Sequence, residues 1–282
     1  GTAVNYGKIV FGKKSDGTTA QEWYILGKDK DVSGDNTIIF AASPIATGQQ
    51  FNSSTSNKTF ASSFGVYESN PSEVYANHYG ASDLRVALQG MAKNINYFTT
   101  VEQGLMNATT VKTEDTKNSN VTYTTTDKLY ALQGKSSDSD KLWAGTSDST
   151  VLAMSSYWSN GSVFWLRTPD SDFGVLHAYP GNDVDVSMGD NGFAVQPASN
   201  LNLSSVLFAS AATAASPATV KLGRITSSEA MTLRFDGTGK DIGTVTYNAT
   251  TGDIKVVRGD TSQPVSLVVQ GKDGTDDWYY SK

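Results

Sequence analysis

Phe164-Trp165-Leu166-Arg167-Thr168-Pro169, answered further on by Gly192-Phe193-Ala194-Val195-Gln196-Pro197-Ala198, is the stretch on which the fold turns. On a strand, Trp165 and Leu166 point to opposite faces, so each needs its own apolar cover. Arg167 is long enough to reach across loop carbonyls, and Pro169 ends the ladder because it has no N–H to donate. Trp165, Arg167, Pro169, Gln196 and Pro197 therefore read as scaffold.

Around this stretch the pattern is strand-like. Phe173 to Tyr179, Val184 to Met188 and Phe193 to Gln196 are short runs broken by Pro180-Gly181-Asn182-Asp183 and Gly189-Asp190-Asn191-Gly192. Leu201 to Phe208 alternates and closes the unit. Upstream, Tyr6 to Phe11, Trp23 to Leu26 and Thr37 to Ala41 predict a meander, and 45–80 reads as a long irregular region. Ser82 has the character of an N-cap, with Leu84, Leu88 and Met91 at helical spacing behind it. Thr99 and Glu102 have capping-box spacing, with Val101 and Leu105 as the buried stripe of a second helix. Residues 112–126 are threonine-rich and predict an exposed loop or hairpin.

The small-residue segment 209–218 is the expected boundary. It gives one domain over 1–210 and a second over 211–282, where strand-like runs at regular turn spacing suggest a small β-sandwich.

Composition narrows the function. The net charge is −6 with no basic run, which excludes the electrostatic footprint of a nucleic-acid binder. No apolar stretch is long enough to span a membrane as a helix. Cysteine is absent, which removes disulfides, thiolate metal sites and a Cys nucleophile together. An acidic, Thr/Ser/Asn-rich chain of this kind suits an exported bacterial protein. The opening Gly1-Thr2-Ala3-Val4 carries no signal peptide, as expected of a mature form.

The Phe164–Pro169 and Gly192–Ala198 motifs resemble a bacterial family of exported domains of unknown function with a W-x-L-R-[ST]-P … V-R-P-A core. Trp23-Tyr24-Ile25-Leu26, Ser82-Asp83-Leu84-Arg85, Phe98 with Glu102, and Asp127-Lys128-Leu129 resemble further stations of that family, so the likeness runs in order over roughly 5–208. Gln196 stands where the family usually has Arg. The resemblance implies a C-type-lectin-like fold, and hence an α+β first domain with two helices, mixed and antiparallel sheets and long loops. It also implies a binding face just before the last strand, at about 170–192. Formylglycine-generating chemistry, found on a related fold, needs the cysteine this chain lacks.

The candidate ligand-binding residues are Phe173, His177, Tyr179, Asn182, Asp183, Asp185 and Asp190. Alternation puts Phe173, Val175, His177 and Tyr179 on one face, suited to a sugar ring or a peptide. No cofactor is expected. Asp170, Asp172 and Asp190 are the oxygen donors a calcium ion would use, although their spacing matches no EF-hand loop. Asp183 and Asp185 lie about 7 Å apart along a strand. That spacing suits the acids of an inverting glycosidase, but side by side they cannot flank a scissile bond. The sequence thus predicts a non-catalytic, cell-surface binding or adhesion protein whose partner is a glycan or a host or bacterial surface protein. A carbohydrate-active hydrolase and a structural stalk are the alternatives.

Overall fold

The structure is a computed structural model that describes residues 7–138, 140–146, 151–153, 161–170, 173–179, 183–210, 218–221, 230–235, 241–261 and 266–281. The chain divides into two compact units, 1–204 and 205–282.

In the first unit β1 (Lys8–Lys13), β2 (Ala20–Gly27) and β3 (Asn36–Ala41) form the predicted meander. Tyr6 lies outside the described residues. The 45–80 region carries β4 (Ala46–Gln50), a short pair β5 (Lys58–Thr59) and β6 (Glu73–Val74), and 3-10 turns at Ser62–Phe64 and Tyr79–Ala81. Helix α1 (Asp83–Lys93) starts where Ser82 Oγ accepts the Arg85 N–H, and it buries Leu84, Leu88 and Met91. Helix α2 (Thr100–Leu105) has the full capping box between Thr99 and Glu102. Leu105 is buried there, but Val101 is 49% exposed, because six residues make too short a helix to present a continuous apolar stripe.

A hairpin follows, β7 (Thr109–Asp115) and β8 (Val121–Asp127), and it is not simply exposed: every second β7 side chain is buried. Next come β9 (Leu129–Tyr130), the pair β10 (Lys141–Trp143) and β11 (Val151–Ala153), then β12 (Phe164–Pro169), β13 (Gly174–Tyr179), β14 (Asp183–Met188), β15 (Gly192–Val195) and β16 (Ala198–Asn202). The run expected from Leu201 to Phe208 resolves into β16 and a separate strand, β17 (Val206–Ser210).

The first unit is built on two sheets. One has the order β1-β2-β3-β16-β9 with antiparallel neighbours, and the other the order β14-β13-β12-β15-β4 with β12 and β15 parallel. Tyr24, Ile38, Phe40 and Ala198 of the first sheet share one core with Phe164, Leu166 and Leu176 of the second. Burying about 1.5–3 kcal/mol worth of apolar surface per large side chain, this shared core is what holds the two sheets face to face.

The α+β, C-type-lectin-like expectation is not met. Among the described residues there are two α-helices, of 11 and 6 residues, against 23 strands, and the chain is mostly β in several small sheets. The physical reason lies in the periodicity. Only Leu84 to Met91 sustains a helical stripe, while elsewhere apolar and β-branched residues fall in strand-length runs, alternating as in β7 or continuous as in β3.

The deciding motif sits at the centre of the second sheet. Phe164 and Leu166 enter the shared core, while Trp165 turns the other way under Phe51 and Phe193 and donates its indole N–H to the Gln49 carbonyl at 2.7 Å. Pro169 is not beyond the ladder: it stands opposite Val175, after an irregularity in the β12–β13 register. Gln196 is buried and donates to the Ala41 carbonyl at 2.9 Å, and the buried Pro197 accepts the Ala41 N–H at 3.0 Å. Together they tie the end of β15 to β3.

The second unit is all-β among its described residues. β17 pairs with β19 (Met231–Phe235) after β18 (Ala218–Lys221) has intervened in sequence. β20 (Thr244–Tyr247) and β21 (Ile254–Val257) form a hairpin, and β18 lies beside β23 (Asp276–Ser281), which pairs on its other side with β22 (Val268–Asp273).

Candidate functional site

The predicted display strand is β13, and only its ends face solvent. Phe173 is 43% and Tyr179 is 51% exposed, whereas Val175, Leu176 and Ala178 are buried. His177 is buried too, at 3% exposure, among the rings of Phe193 (4.9 Å), Trp165 (6.3 Å) and Tyr179 (6.5 Å). The expectation that His177 faces outward is corrected here. Leu176 and Ala178 face the shared core and the His177 side is covered by the Trp165 and Phe193 rings, so neither face of β13 is free at mid-strand, and alternation alone cannot tell a covered face from an open one.

Asp183 and Asp185 stand on β14 opposite Tyr179 and His177 in the register. Asn182 and Asp172 fall outside the described residues. Asp190 is exposed at the turn into β15, where its carbonyl accepts from Gln50 at 2.7 Å. Asp170 is half-buried and accepts from the Ser136 hydroxyl at 3.4 Å. Among the described residues no three Asp, Glu or His side chains gather as a cation cage requires.

What the structure does assemble is a corner at the end of β12. The turn carrying Phe173 is pinned from beneath by the buried Asn77, whose amide donates to the carbonyls of Asp170 (2.8 Å) and Gly174 (3.1 Å). Asp170 N–H also donates to the Gly174 carbonyl at 2.8 Å, closing the turn. Phe173 meets Tyr75 edge-on at 6.3 Å, and the Lys117 ammonium lies 4.7 Å from the centre of the Tyr75 ring. Lys117 also pairs with Glu73 at 3.0 Å and holds that carboxyl below its usual range. Asn57 and Asn118 bind Glu73 through its carboxylate and its backbone carbonyl. Tyr75, Lys117 and Asn77 drew no attention in the sequence, because residues so far apart along the chain give no local pattern.

A pocket of about 370 Å³ opens close by, lined by residues 112–114, 133–137 and 167–169. Arg167 is fully buried against it. Its Nε donates to the Lys112 carbonyl, Nη1 to the Ala131 carbonyl, and Nη2 to Gln133 Oε1 and the Gly145 carbonyl, at 2.8–3.3 Å. The expectation that Arg167 reaches across loop carbonyls is met at Ala131 and Gly145, and a strand carbonyl and a side-chain amide are bound besides. Burial pulls its pKa down, opposed by Tyr130, Tyr79, Tyr123 and Asp127.

Behind the corner runs a buried polar chain. His78 Nδ1 accepts the Ala81 N–H at 3.1 Å, so the ring proton sits on Nε2 and points at Tyr67 Oη, 2.6 Å away. Tyr67 in turn donates to Asp115 Oδ2 at 2.7 Å. The His78 ring stacks on Tyr123 at 4.1 Å. Asp115 accepts further from the Lys117 N–H and the Asn118 amide, which couples the chain to the corner. All three members are at most 9% exposed, so the arrangement joins the 60–80 region to the β7–β8 hairpin.

Burial lowers the His78 pKa from 6.5 to about 4, with Arg85 and Lys58 acting in the same direction and Asp115 against. As pH falls the unfolded chain takes up this proton first. Stability is therefore complete above the unfolded value near 6.5 and declines as pH drops toward about 4. The loss over that window is about 3 kcal/mol. Urea unfolding at pH 7 and pH 4.5 checks this, with the difference between the two pH values shrinking markedly in His78→Gln.

No family model matches the chain, and no curated protein or solved structure matches it either.

Proposed function

We propose that this chain is a bacterial cell-surface protein that binds a ligand without transforming it, and that the ligand is a glycan held at the Phe173 corner. The resemblance at Phe164–Pro169 and Gly192–Ala198 to exported bacterial domains supports the location, as does the cysteine-free, Ser/Thr/Asn-rich composition. The observation that carries the reading is the turn itself. A 43%-exposed aromatic ring stands on a turn pinned by a buried amide, beside a second ring that carries an ammonium paired with a carboxylate. A sugar presents an apolar ring face together with hydroxyls, and a fixed aromatic with a polar rim answers both. Fixing the turn beforehand lowers the entropy that binding must overcome. One such site is modest in affinity, so display in many copies supplies avidity.

Screening the full chain on an immobilised glycan array tests the proposal. Binding is expected to weaken about tenfold in Phe173→Ala, in keeping with loss of a well-packed aromatic anchor. A blank array at high protein concentration contradicts it, as does hydrolysis of the bound glycan that is abolished in Asp183→Asn.

A further inference from the structure

Resting on that binding reading, we infer that the pocket beside Arg167 receives the carboxylate of an acidic saccharide, a uronic-acid type of sugar, while a neighbouring ring of the same glycan lies on Phe173.

The first ground is charge. The chain as a whole is at −6, yet the charged residues lining this pocket are Lys112, Lys135 and Arg167 against Glu114 alone, three cations to one anion. The second is the state of Arg167. Its four hydrogen-bond acceptors are three carbonyls and an amide oxygen, all neutral. Asp127, the carboxylate that bears on it electrostatically, is committed to Arg85 at 2.8 Å. Arg167 thus donates from each of its nitrogens to neutral oxygens, and among the described residues no carboxylate is bonded to it. Carbonyl dipoles do not cancel a full charge, so the positive potential extends toward the adjoining cavity. The ammonium of Lys135 is held 4.6 Å over the Trp143 ring, which fixes a second cation beside the pocket.

The third ground is chemistry beside the charge. Ser136, Ser137 and Gln133 also line the cavity, and Glu114 stands at its exposed rim. Hydroxyls, an amide and carboxylate acceptors match sugar hydroxyls, with Asp170 beside Ser136 as a second anion at the edge. At about 370 Å³ the space suits one sugar residue better than an extended chain. The fourth ground is position. Ser136 of the pocket donates to Asp170, and Asp170 opens the turn that carries Phe173. One hydrogen bond thus links the wall of the pocket to the turn on which Phe173 stands.

The test is calorimetric titration of the full chain with three probes: a galacturonic acid trimer, the same trimer fully methyl-esterified, and tetraglutamate. The free-acid trimer is expected to bind about tenfold more tightly than its ester, as one charge-assisted contact allows, and to weaken as sodium chloride is raised. The double variant Lys112→Ser/Lys135→Ser is expected to lose that preference while still binding the ester. Lys112 is exposed and Lys135 half-buried over the Trp143 ring, so Lys112→Ser alone, which leaves that ring contact in place, is expected to narrow the preference in the same sense, and Arg167 is left intact because its removal destabilises the unit. Equal affinity for acid and ester, with Phe173→Ala weakening both, overturns the carboxylate assignment and leaves the binding reading standing. Binding of tetraglutamate as tightly as the trimer overturns the saccharide assignment. Failure of the trimer and its ester alike overturns this inference, and a blank glycan array alongside brings down the reading beneath it.

Discussion

Arg167→Met is expected to destabilise the first unit by about 4 kcal/mol, because it strips charge-assisted hydrogen bonds from four oxygens around a fully buried side chain. The guanidinium ties together the Lys112 carbonyl on β7, the Ala131 carbonyl after β9, Gln133 in the following loop and the Gly145 carbonyl after β10. Methionine fills the space but donates nothing, and the acceptors face an apolar chain instead of water. For a unit of this size the thermal midpoint then falls by roughly 10 °C, which a melting curve followed by circular dichroism reads directly. Arg167→Lys recovers little of this. An ammonium is a compact point charge and cannot span acceptors on four separate segments. A variant within a degree or two of the parent contradicts the role given to this residue.

Trp165→Ala carries the second large effect, about 4 kcal/mol, from the transfer free energy of a buried indole and the cavity left behind it. Trp165 is 1% exposed and packs on Phe51 at 5.8 Å and on Phe193 at 4.6 Å, so it joins the segment after β4 to β15 from the middle of the sheet. The Gln49 carbonyl loses its donor as well. Trp165→Phe keeps most of the packing and loses that hydrogen bond, for a cost of about 1–2 kcal/mol. Urea denaturation of the two variants separates the contributions: a gap of less than about 1 kcal/mol between them means that packing around the indole matters less than the geometry implies.

Local chemistry was legible in the sequence wherever neighbours along the chain decide it. The Ser82 cap, the Thr99–Glu102 box and the opposite faces of Trp165 and Leu166 follow from spacing alone, and the structure bears them out. The reach of Arg167 was legible from its length beside loop-rich flanks. What depends on tertiary cover was not. Alternation placed His177 with Phe173 and Tyr179, but the Trp165 and Phe193 rings cover that face at the middle of β13 and leave only its ends exposed. The stripe expected of Val101 failed because α2 stops after six residues. The α+β class failed for the same kind of reason: two well-marked helix starts say where helices begin and nothing of how little of the chain they occupy. Tyr67, His78 and Asp115 form one hydrogen-bonded chain, yet 11 and 48 positions separate Tyr67 from its two partners, so no window of sequence contains it.

Hydrogen exchange of the full chain, read by mass spectrometry with and without saturating galacturonic acid trimer, tests the binding face most directly. The account predicts slowed exchange in 133–137 and 168–175, with residues 205–282 unchanged. Protection that falls on 205–282, or that spares both of those segments while the trimer is bound, contradicts it.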